Sequence, residues 1–140
     1  MSARRHLLLP LTLVTLLLVN SRPVTAGDAR LYDGLGGHHR KVAGLSPEAQ
    51  RWFDQGLVFA MSFNHDEAVR SFTEAARIDP DCAMAWWGIA LASGPHINNP
   101  AMSPEASQAA WSALNHARSC LATAAPVERA LVEEIGRAHV

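Results

Sequence analysis

The chain is 140 residues long, 49% hydrophobic and 18% charged, and its 12 basic and 13 acidic residues give a formal net charge of −1. That apolar content excludes an intrinsically disordered chain, and the scattered basic residues form no aromatic-and-basic groove for nucleic acid. Alanine is abundant while Thr, Ile and Tyr are scarce, which points to a globular helical protein rather than to sheets.

Residues 1–26 read as a secretory signal peptide. Arg4, Arg5 and His6 make a basic start, Leu7 to Val19 is an apolar run broken by Pro10, Thr12 and Thr15, and Val24-Thr25-Ala26 is a small-residue cleavage site. The run falls short of the ~20 residues that a membrane-crossing helix needs. The expectation is an exported protein, periplasmic or secreted, cleaved after Ala26 and with no stable membrane span; the alternative is an uncleaved anchor. Losing Arg4, Arg5 and Arg22 leaves 9 basic residues against 13 acidic, a balance near −4.

Residues 27–45 carry Gly34, Gly36 and Gly37 among polar residues and read as an irregular lead-in. A first helix is expected from Ser46-Pro47-Glu48, with Ser46 as cap, Pro47 at the first helical position and Glu48 at the positive helix end. Trp52, Gly56, Phe59 and Phe63 give it one helical stripe, and Phe53, Leu57 and Ala60 a second beside it. Asn64 with Glu67 has the form of a capping box opening a second helix, whose face carries Ala68, Phe72 and Ala75. Asp79-Pro80 ends it. Asp81 is the expected cap of a third helix, Cys82 to about Ala92, and Gly94-Pro95 ends that one.

Ser103-Pro104-Glu105 repeats the start signal of the first helix and predicts a fourth, to about Ala122, with Ala110, Leu114 and Ala117 on one line. Pro126 opens a fifth. Residues 134–140, Glu134 to Val140, can be back-translated to a sequence that looks like the start of a widely used short-read sequencing adapter. The natural sequence is therefore expected to stop near Glu133, and this chain to be a piece of a longer protein; the alternative is a genuine frayed helix end.

Trp52 and Trp86 lie 34 residues apart, and 34 is the tetratricopeptide period. Trp52, Gly56, Phe59, Ala68, Phe72, Ala75 and Pro80 stand at that family's spacing, and the chain resembles the tetratricopeptide repeat family over roughly Leu45 to Leu131. One departure is Gln55, where the family prefers Leu. The second unit starts with Trp86 and Ile89, but Ala90 replaces the glycine, and its second helix fits only with about eight extra residues in the turn. The runs Phe63 to Ala68 and Cys82 to Gly88 are also similar to exported tetratricopeptide-type proteins of environmental bacteria. The resemblance implies an all-α fold, antiparallel helical hairpins stacked as a short α-solenoid. Residues 46–80 would be its first unit, 81–122 a degenerate second and 126–133 the start of a third.

The resemblance also implies a function, protein–protein contact through an apolar inner face. Transferred to this chain, that face is Gln50, Phe53, Leu57, Ala60, Met84, Trp87 and Leu91. Trp86 would pack inside its own hairpin, while Trp87 would project into the groove as an anchor for a partner protein or peptide. The other reading of these residues is that they pack against the lead-in or against further repeats.

His65 and His96 fall in the turns of successive hairpins, on one edge, but no His-x-x-His, His-Glu-x-x-His or Cys-x-x-Cys spacing supports a metal, and none is expected. Cys82 begins the third helix and Cys120 ends the fourth, so an antiparallel pair would bring them together, as a disulfide or as two thiols. No nucleophile elbow, phosphate loop or haem-attachment motif is present, so neither catalysis nor a cofactor is expected. The competing functions are a metal-binding or enzymatic protein using the histidine-bearing turns, or a non-catalytic segment of a longer enzyme.

Overall fold

A computed structural model describes residues 29–97 and 100–138. The expected signal peptide and its cleavage site lie outside the described residues. Five helices follow in order: α1 Pro47–Met61, α2 His65–Ile78, α3 Ala83–Ser93, α4 Pro104–Ser119 and α5 Pro126–Ala138. Among the described residues there is no strand, and no helix is long and apolar enough to cross a membrane.

The helix starts follow local chemistry. Ser46 Oγ accepts from Ala49 N at 3.4 Å, and Ser103 Oγ from Ala106 N at 3.1 Å, each satisfying one of the orphan donors of a first turn. Asn64 Oδ1 accepts from Glu67 N at 3.4 Å, but the box stays half closed because the Glu67 carboxylate pairs with Arg70 at 3.0 Å. The cap of α3 is Cys82 rather than Asp81, and it makes no side-chain cap bond. α4 stops at Ser119, short of Ala122, with Cys120 as its C-cap. At α5, Glu128 Oε2 accepts from Ala125 N at 2.8 Å and closes the first turn. That helix continues past Glu133 to Ala138.

Sequential helices pack on one another, α1 on α2, α2 on α3 and α3 on α4, while α5 lies against α3 and α4. The pairs run antiparallel, as their end contacts require. Asp79, just past α2, accepts from Ser46 N at the start of α1 (2.6 Å). His65, opening α2, stacks on His96, just past α3. The Cys120 thiol, at the end of α4, donates to Pro80 O near the start of α3.

α3 is apolar all round, and it is the central helix, with Ala83, Met84, Ala85, Trp87, Gly88, Ala90 and Ala92 buried. Phe72 of α2 is fully buried between two glycines, Gly56 of α1 and Gly88 of α3. A methyl group at either would overlap the ring, so these glycines set how closely three helices approach. Gly88 does not stand where the resembled family places its glycine, and its role is invisible in the spacing.

Residues 29–46 form no helix or strand and lie along α1. The Gln55 amide donates to Arg30 O (2.9 Å) and to Ser71 Oγ (3.0 Å), and its carbonyl accepts from Tyr32 N (2.8 Å). Gln50 donates to Arg40 O (2.8 Å) and accepts from Val42 N (3.0 Å). Val42 is buried, and Ala29, Leu31 and Leu45 pack on the core.

Candidate functional site

The inner face expected to receive a partner is filled by the chain itself. Phe53, Leu57, Met84 and Trp87 are buried, and Ala60 and Leu91 are partly buried against the same core. Gln50 is occupied in holding the lead-in. The physical reason is that α5 and residues 29–46 bring their own apolar side chains to this core, Leu131, Val132 and Ile135 from one and Leu31, Val42 and Leu45 from the other. The roles expected of the adjacent tryptophans change accordingly. Trp87 is only 7% exposed, and its indole donates to Leu131 O of α5 at 3.2 Å. Trp86 stays partly exposed, donating to Pro80 O at 2.7 Å and lying over the His116 ring at 4.4 Å.

The remaining residues that stand at the resembled family's spacing sit largely in the core. Trp52, Gly56, Ala68, Phe72 and Ala75 are buried, Phe59 is half-buried, and Pro80 is exposed in the turn. Cys82 and Cys120 are both free thiols. Instead of facing each other they donate to different carbonyls, Cys82 to Ala43 O at 3.6 Å and Cys120 to Pro80 O at 3.7 Å. Burial pushes the Cys82 thiol pKa up, with Glu128 and Asp79 adding to the rise against backbone hydrogen bonds that lower it.

The turn edge gathers more unusual chemistry. After α1 the chain reverses through Phe63 at φ 61°, a left-handed conformation that a bulky residue adopts only under local strain. The Asn64 cap then starts α2 at His65. The Phe63 ring meets His65 edge-on at 6.3 Å, and His65 stacks on His96 with centroids 4.0 Å apart and planes 18° from parallel. Nδ1 and Nε2 of His65 and Nδ1 of His96 are shielded from solvent, and none has a hydrogen-bond partner. Leaving such a group unsatisfied costs about 1–3 kcal/mol. Burial lowers the His65 pKa, and His96 lowers it further, against an opposing effect of Asp66.

These rings border a cavity of about 350 Å³, whose wall also includes Asp66, Val69, Met102 and Ser103. It lies between the first turns of α2 and α4 and the last turn of α3. Among the described residues no three His, Cys, Asp or Glu side chains gather as a metal-holding group. His39 is used elsewhere, 2.7 Å from the Asp54 carboxylate, and His38 is exposed.

The hairpin pattern puts His65 and His96 on one edge, but no sequence signal marks their stacking or the cavity. Nor does any sequence signal mark Glu128 as a clamp residue. Gln55 did carry a signal, as a polar residue at a position where the resembled family prefers Leu. No family model, no curated protein and no solved structure matches this chain.

Proposed function

We propose that this chain is an exported, non-catalytic adaptor of the tetratricopeptide type, which binds another protein by its turn edge rather than its inner face. The first-unit spacing from Trp52 to Pro80 supports the repeat reading, as does the antiparallel pairing of sequential helices. One observation carries the choice of edge. Met61 is 71% exposed, Phe63 57% and Ile97 85%, and they flank the stacked histidines. Isolated apolar residues on a surface are ordinary; three large ones beside a strained turn and a cavity suit an apolar segment of a partner.

The test compares the chain from Gly27 onward with a Phe63→Asn/Ile97→Ser variant, each used to capture proteins from an envelope extract. A partner held by the first and lost by the variant, with helical content equal in the two, supports the edge. Equal capture by both refutes it. N-terminal sequencing of the exported protein tests cleavage after Ala26.

A further inference from the structure

We propose that the stack of His65 on His96 is an acid-labile staple, which holds the start of α2 to the segment after α3 while both rings are neutral and loosens when they take up protons. The proposal is independent of the adaptor reading, since it needs no partner.

Three observations carry it. The two rings come from different elements, yet they lie face to face with centroids 4.0 Å apart and planes 18° from parallel. Nδ1 and Nε2 of His65 and Nδ1 of His96 are shielded from solvent and make no hydrogen bond. His65 is also the first residue of α2, at the end of the helix that carries positive partial charge.

The consequence follows from counting protons. A neutral imidazole has one N–H and one bare nitrogen, whereas the cation has two N–H groups. A proton on His65 therefore adds a second shielded donor with no acceptor, and a charge cut off from water. A proton on His96 as well would set two like charges one stacking distance apart. The positive end of α2 opposes the His65 cation too. Each of these penalties falls once the rings part and water reaches their nitrogens, so proton uptake and loosening are linked.

The surrounding charges do little to offset this. The last turn of α1, Val58 to Met61, carries no charged side chain, and neither does α3 along its whole length. The first turn of α4 brings Glu105. On α2 itself, Glu67 is paired with Arg70, which leaves Asp66 as the neighbour that favours a cation. Burial, and then His96, outweigh Asp66 and lower the His65 pKa. With the folded value below the unfolded one, the staple contributes fully above the ordinary histidine range. It weakens as pH falls from that range through the folded value.

The experiment follows the chain from Gly27 onward by nuclear magnetic resonance between about pH 8 and about pH 5, the range in which histidine changes charge. The His65 ring ¹⁵N signals should titrate below the ordinary 6.5. Amide protection at residues 63–67 and 96–97, corrected for the intrinsic effect of pH on exchange, should fall at least about fivefold towards the acid end. A His65→Phe/His96→Phe variant keeps two aromatic rings but neither proton, and its protection there should not change with pH. A His38→Gln/His39→Gln variant should respond as the parent chain does. If the phenylalanine variant misfolds, the ring signals of the unaltered chain still decide. A His65 ring titrating at or above 6.5, protection that does not change with pH, a response that persists in the phenylalanine variant, or one lost with His38 and His39 would each overturn the proposal.

Discussion

Replacing Gly88 by alanine puts the packing account at risk. A Cβ at this position would lie 2.5 Å from Phe72 Cγ and 2.6 Å from Cε1, where ordinary contacts are 3.4–4 Å. The ring cannot step aside. It is fully buried, Gly56 closes it in from α1, where a Cβ would sit 2.7 Å from Cδ1, and Phe53 packs on it at 5.4 Å. Overpacking of this kind costs about 1–3 kcal/mol, while exchanging glycine for alanine in a helix returns about 1 kcal/mol. The net expectation is a loss of up to about 2 kcal/mol, or a melting temperature lower by roughly 4–8 °C per kcal/mol for a domain near this size. Urea denaturation followed by circular dichroism measures it. Phe72→Leu, which frees room beside the glycine, should make the added methyl less costly, so a double-mutant cycle should show coupling. Gly136→Ala is the control, because its Cβ would clash only with the end of the flexible Arg118 side chain, which can move, and would meet Leu114 Cδ2 at an ordinary 3.5 Å. If Gly88→Ala equals or exceeds the parent in stability, helix propensity outweighs the close approach and the packing argument fails.

The other expectations concern the lead-in and the thiols. Gln55→Leu should strip partners from Tyr32 N, Arg30 O and Ser71 Oγ, lowering stability by about 1–3 kcal/mol and raising amide exchange most at residues 30–32; protection unchanged there would refute the clamp. Alkylation of unreduced native protein should find two thiols, with half-exposed Cys120 reacting well before buried Cys82. A reducible bridge seen by mass spectrometry would contradict this. Because the Cys82 pKa is raised in the folded chain, its stabilising contribution is full below the ordinary thiol range and is lost as pH climbs through the folded value. Denaturation at neutral and strongly alkaline pH should show that decline, and it should be reduced in Cys82→Ala.

What could be read from sequence was what lies within a turn or two of chain. Ser46-Pro47-Glu48 and Ser103-Pro104-Glu105 mark their helices to the residue because a cap and the backbone N–H that donates to it are three positions apart. The all-α class follows from the same local signals. Exposure of a helix face is a different kind of quantity, set by whatever distant segment lies over it. Trp87 is covered by Leu131, 44 positions on, and Gln55 is committed to residues 23 and 25 positions back. The period that identified the face therefore could not tell whether it stayed open. The histidine stack is hidden for a similar reason, since it joins residues 31 positions apart through the segment after α3.

One hydrogen bond has a consequence for the order of folding. Ala43 N donates to Glu128 Oε1 at 3.0 Å across 85 positions, with Glu128 almost fully buried, and so joins the segment ahead of the first helix to the last. A chain growing from its N-terminus can pair α1 with α2 early, but this clasp must wait until α5 exists. Closing so long a loop carries an entropy cost that local helix pairing avoids. Until it closes, Trp87 lacks its Leu131 partner and the apolar side of α3 stays uncovered. A nascent chain in which this clasp has not closed would expose that apolar surface to its neighbours.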